Sequence, residues 1–152
     1  MNRHRELILI VTLAMIPFGI TSAIYNAAAN EIAGSLSLSA DDASWFNIIY
    51  ILAQLLTLPL ASWLSYRIGA KQLLTLGSGL GLVASLLLGF SEDVAGHFVA
   101  WAITGIAASS MLVAAQVLVL RNLSLQDIAI AEGAMMLMTT LLPMGIYPWL
   151  IA

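Results

Sequence analysis

The chain has 152 residues, 61% of them hydrophobic and 9% charged, against about 25% charged in an ordinary soluble domain. Its five Lys plus Arg and eight Asp plus Glu leave a net charge of −3, which lacks the basic density of a nucleic-acid-binding protein. With no cysteine, a disulfide framework and a Cys-ligated zinc or iron–sulfur site are both excluded.

The charged residues fall between long apolar stretches, and each stretch reaches the roughly 20 residues that a helix needs to cross a hydrocarbon core about 30 Å thick. The runs are continuous and not alternating, so helices are expected and a β-barrel is not. The predicted fold is all-α: a polytopic transmembrane helical bundle of about five spans, at residues 7–29, 44–65, 72–90, 97–119 and 133–152. They form a single membrane domain over residues 1–152.

The first predicted span follows a short basic tail of Arg3, His4 and Arg5, where His4 is read as a solvated imidazole. Ala27 to Ala29 imitates a small-residue cleavage site, but the apolar run before it is longer than the core of a signal peptide. Asn26 lies one helical turn after Ser22 in the outer half of this span. In the second span Asn47, Tyr50 and Gln54 are separated by three and four residues and line one face. The loop that follows carries Arg67, Gly69 and Lys71.

The third span carries Gly77, Gly81, Ser85 and Gly89 at four-residue spacing, a ladder of small residues that lets a neighbouring backbone approach closely. Gly105 and Ser109 repeat the spacing in the fourth span, which Thr104 and Gln116 interrupt with polar side chains. The fifth span contains Thr139, Thr140, Pro143, Gly145 and Pro148, and Pro17 and Pro59 add kinking residues to the first two. It runs to Trp149, Leu150, Ile151 and Ala152 without a polar tail, which predicts a fragment of something longer.

All five basic residues, Arg3, Arg5, Arg67, Lys71 and Arg121, fall on one side of such a bundle. The positive-inside bias therefore puts the N-terminus in the cytoplasm, with Glu31, Asp41, Asp42, Glu92 and Asp93 outside. No acidic or basic side chain is expected in the middle of a span. Enzymatic chemistry is not expected: Ser109 and Ser110 have no His or Lys near them in sequence, and Asp93 with His97 supplies too few ligands for a metal. No cofactor is predicted. The polar residues Asn26, Gln54, Thr104 and Gln116 are read either as the lining of a water-filled path or as hydrogen bonds that lock the helices together.

Asn26, then Ile32-Ala33-Gly34, Ala43-Ser44-Trp45, Tyr50, Ala53, Pro59-Leu60 and Trp63-Leu64, read in order, resemble the start of the major facilitator superfamily. The nearest likeness is to its fourteen-span drug:proton antiporters of the EmrB/QacA type. That family carries a motif between its second and third spans, a glycine followed by an acid, a base, a glycine and two bases. Here the stretch reads Ser62-Trp63-Leu64-Ser65-Tyr66-Arg67-Ile68-Gly69-Ala70-Lys71, so Arg67, Gly69 and Lys71 match while Ser62 and Tyr66 depart. The chain also has Thr21 where such proteins carry an acid, and Trp101 and Thr104 where they carry an arginine and a glutamine, with Gly105 retained.

The resemblance implies a partial N-terminal bundle of a multi-pass transporter in a bacterial inner membrane. It implies small amphipathic substrates exported by alternating access, the remaining transporter half as a partner, and a periplasmic adaptor as another. Arg67, Gly69 and Lys71 would form a cytoplasmic gate. Beside this stands a second reading, a non-transporting relic or a small helical subunit that assembles with a larger membrane partner.

Overall fold

The computed structural model describes residues 5–17, 20, 34 and 39–141. Residues 5–17 are helical (α1), followed by α2 (Ala40–Ile68), α3 (Ala70–Phe90), α4 (Val94–Asn122) and α5 (Leu125–Met136), which continues as a π-helical segment at Leu137–Leu141. Among the described residues there is no strand, and the chain is an all-α helical bundle. Three helices are long and apolar enough to cross a membrane: Ser44–Ile68, Ala70–Phe90 and Val94–Asn122. The first and fifth predicted spans run partly beyond the described residues.

Local sequence explains where the helices start and stop. Ser39 caps α2 in a reciprocal box: its Oγ accepts from the Asp42 N–H at 3.1 Å, while the Ser39 N–H donates to the Asp42 carboxylate at 3.3 Å. Asp41 and Asp42 in the first turn, and Arg67 in the last, complement the helix dipole. α2 then runs through Pro59 without a break. At α5 the Ser124 hydroxyl caps the helix by accepting from the Asp127 N–H, so this helix begins at Leu125, eight residues before the predicted fifth span.

The packing inverts that of a soluble domain. Large aliphatic and aromatic side chains such as Leu56, Leu82 and Phe90 are exposed, whereas the buried positions are largely small: Ala61, Ala84, Ala100, Ala107, Ala114, Ser109 and Ser110. Lipid gives no hydrophobic drive between helices, so close approach of small residues has to supply the contact. Buried hydroxyls are satisfied within their own helix, Thr104 donating to the Ala100 carbonyl at 2.8 Å and Ser110 to that of Ile106 at 2.8 Å.

The chain divides into two compact units, Ala28–Ala114 on the one hand and Met1–Ala27 with Ala115–Ala152 on the other. In the first, α2, α3 and the part of α4 up to Ala114 pack around Ala61, Leu73 and Ala114, flanked by Leu64, Ile68, Leu74 and Val113. The contacts fix the directions. Phe46, Tyr50 and Gly105's neighbours Ala53 and Gln54 meet Phe98, Trp101 and Gly105 in ascending order on both helices, so α2 and α4 run parallel. α3 meets α4 in the opposite order, Leu73 with Ala114 and Gly81 with Ala107. In the second unit, Val11 and Met15 make one buried face of α1, and Ala131 and Met135 one buried face of α5.

Candidate functional site

The α2–α4 crossing brings together Phe46, Tyr50 and Gln54 of α2 with His97, Phe98, Trp101 and Gly105 of α4. Phe46 is fully buried, its ring 4.6 Å from Phe98 and 6.0 Å from His97. One turn further, Tyr50 meets the buried Trp101 edge to face, centroids 6.0 Å apart at 86°. Trp101 is the position at which the resemblance leads one to expect an arginine, and an aromatic pair takes the place of a cation there. Gln54 hydrogen-bonds Tyr50 on the same helix face.

Gly105 is where the two backbones come closest. A Cβ there would collide with the Tyr50 carbonyl oxygen, and would lie 3.1 Å from the Ala53 Cβ and 3.2 Å from the Gln54 nitrogen. Only a residue without a side chain fits, because the obstacles are largely backbone. Gln54 and Thr104 are thus brought to one crossing, although Thr104 is buried and its hydroxyl is engaged by its own helix.

The turn between α2 and α3 is a single residue. Gly69 has φ 91° and ψ 148°, a region essentially restricted to glycine, and it closes α2 by donating to Ser65 O at 3.1 Å while its own carbonyl accepts from Leu73 N at 3.1 Å. Arg67 and Lys71 flank it, both exposed. The Arg67 guanidinium lies 4.8 Å from the centre of the Trp63 ring, a cation–π contact worth about 0.5–1 kcal/mol at an exposed site.

Along α3 the small residues differ in surroundings. A Cβ at Gly77 would meet Met111 Cγ at 2.8 Å and the Ala107 carbonyl at 3.3 Å, and one at Gly81 would lie 3.9 Å from the Ala107 Cβ. Ser85 and Gly89 are exposed, and nothing lies within 4 Å of a Cβ at Gly89.

Gln116 belongs to the other unit, where its amide donates to the Glu132 carboxylate on α5 at 3.1 Å. Asn26 lies outside the described residues, as does Thr21. Among the described residues no group of acidic or histidine side chains is arranged to hold a metal. His97 Nδ1 is 3.1 Å from the Asp93 backbone oxygen and not paired with its carboxylate, which accepts from Gly96 N.

Sequence reading missed Glu132 because that charge served as the boundary of the fifth span. The signal that finds it was present: Ser124 followed three residues later by Asp127 is an N-cap pattern, which starts the helix at Leu125 and puts Glu132 inside it.

Residues 10–152 match the Major Facilitator Superfamily. The chain belongs to the major facilitator superfamily. Among curated proteins it is similar to the multidrug export protein EmrB of Haemophilus influenzae, with 28% identity over 116 residues. That stretch is 76% of this chain and 23% of the relative, so the chain matches about a quarter of that protein's length. No solved structure matches the chain significantly. Membership of this superfamily, together with three helices long and apolar enough to cross a membrane, makes the chain a multi-pass membrane protein of a transporter family.

Proposed function

We propose that these helices belong to the N-terminal bundle of a transporter that exports small amphipathic molecules across a bacterial inner membrane by alternating access. The observation that carries this reading is the similarity to a multidrug export protein over 76% of the chain. The α2–α4 crossing is in keeping with it: the half-buried Tyr50 and Gln54 lie beside the buried Trp101, aromatic and amide groups without a fixed charge. In this reading Gln54 and Thr104 border the substrate path, with Asn26 and Gln116 as its further members, and Arg67, Gly69 and Lys71 form the cytoplasmic turn that opens and closes. The activity is assigned to these helices together with the remaining spans that such a transporter has, whichever polypeptide supplies them.

The test is dye accumulation in a bacterium stripped of its own efflux pumps and given these helices together with the remaining spans. Cells expressing the protein are expected to hold less of a fluorescent lipophilic dye than control cells, and Arg67→Ala is expected to raise accumulation back toward the control. Unchanged accumulation, with the protein shown to be inserted in the membrane, would overturn the export reading.

A further inference from the structure

Glu132 is the eighth residue of α5, about 10 Å along the helix axis from its start at Leu125 at 1.5 Å per residue. Gln116, its partner, lies about 9 Å before the end of α4 by the same rise. Both side chains are half-buried, and the residues beside them are apolar and buried: Ala115 and Val119 on α4, Ala131 and Met135 on α5. The acid therefore stands inside the apolar part of two helices that meet at a polar turn.

An ionised carboxylate in such surroundings ordinarily needs a cation beside it. Among the described residues the partner of Glu132 is a neutral amide. The other titratable groups on the described helices of this unit sit at helix ends: Arg5 and Glu6 at the start of α1, Arg121 in the last turn of α4 and Asp127 at the cap of α5. A lysine or arginine beside Glu132 would hold only the charged form. Glutamine differs, because its NH₂ donates to a carboxylate and its carbonyl accepts from a carboxylic acid O–H, so the pair stays bonded in either state.

We propose that Glu132, held by Gln116, is a proton-exchange site on the end of the bundle that carries Arg121. A proton from water forms the Glu132 O–H bond and neutralises the carboxylate, the Gln116 amide turns over to accept from it, and the reverse step returns the proton to water. The proposal deepens the transport reading by naming a protonatable group within its helices, and rests on that reading for its place in a cycle.

The test reads the site and not the transport. The full chain in phosphatidylcholine nanodiscs is followed by infrared difference spectroscopy across a pH titration. A protonated-carboxyl stretching band is expected that gives way to carboxylate bands as pH rises, is missing from Glu132→Gln, shifts in frequency in Gln116→Leu, and is indifferent to sodium at fixed pH. A difference spectrum identical in wild type and Glu132→Gln would overturn the proposal, as would loss of the band on adding sodium, which marks a metal-cation site. Should Glu132→Gln fail to insert, the wild-type protein still decides. A hydrophobic carbodiimide that attacks protonated carboxyls is expected to modify Glu132 in preference to exposed Glu92, less as pH rises, and no modification at Glu132 would overturn the proposal. Normal titration without dye export sinks only the export reading, and export with a silent Glu132 sinks only the proton site.

Discussion

Single glycines decide how closely the helices approach, and the consequence of adding one methyl group differs at each. At Gly105 a Cβ meets the Tyr50 carbonyl and the Gln54 nitrogen, backbone atoms that cannot swing aside, so Gly105→Ala has to push α2 and α4 apart. The expected loss is about 1–3 kcal/mol, the usual cost of overpacking a tight contact. At Gly77 the first atom met is in the flexible Met111 side chain, and part of the clash is relieved by its rotation. At Gly89 nothing lies within 4 Å, and Gly89→Ala is expected to change stability by no more than about 0.5 kcal/mol. Unfolding in mixed micelles by sodium dodecyl sulfate, followed by circular dichroism, orders the three. Equal losses at Gly105 and Gly89 would contradict the crossing described above.

At the scale of whole helices, the spans of the second to fourth helices were legible because charged residues are scarce and bracket apolar runs, which needs no knowledge of packing. The faces were less so. A ladder at four-residue spacing turns by about 40° per step on a helix of 3.6 residues per turn, so by the third step it has rotated well away from the seam it began on. That is why Gly77 and Gly81 touch α4 while Ser85 and Gly89 are exposed. The polar residues of the candidate site were legible by type, yet not by partner: nothing in the spacing of Gln116 and Glu132, sixteen residues apart, says that they meet.

The start of α5 was readable from its cap, and the cap makes its own prediction. Ser124→Ala removes the acceptor for the Asp127 N–H and should cost about 1 kcal/mol, the usual worth of an N-cap. Amide hydrogen exchange is expected to quicken across the first turn of α5 while the second half of α4 is unchanged. Beyond α5, the backbone widens to a π-helix at Leu137–Leu141, where Thr139 donates to the Met135 carbonyl at 3.0 Å. Pro143 follows in the sequence, a residue type with no N–H to donate. A π-turn in a helix that also carries Glu132 marks this helix as the least regular of those described.

At the level of the whole molecule, the helix directions and the charges lead independently to one topology. Parallel α2 and α4 with antiparallel α3 are what three successive membrane crossings produce. Asp41 and Asp42 in the first turn of α2 and Glu92 and Asp93 before α4 then share one side, and Arg67 and Lys71 the other. The natural chain has no cysteine, so each introduced thiol is the sole target for a label and its side can be read directly. Asp42→Cys and Glu92→Cys are expected to react with a membrane-impermeant maleimide added to intact cells. Lys71→Cys and Asn122→Cys should react only after the membrane is permeabilised, because the side bearing the basic residues is retained in the cytoplasm. These positions are exposed and lie at helix ends, so the substitutions leave the α2–α4 crossing and the Gly77 contact untouched. Two labelled and two protected positions in the reverse order would invert the orientation while keeping the bundle. Labelling of Asp42→Cys and Lys71→Cys from the same side would instead break the crossing of α2, and with it the alternation on which the transporter reading depends.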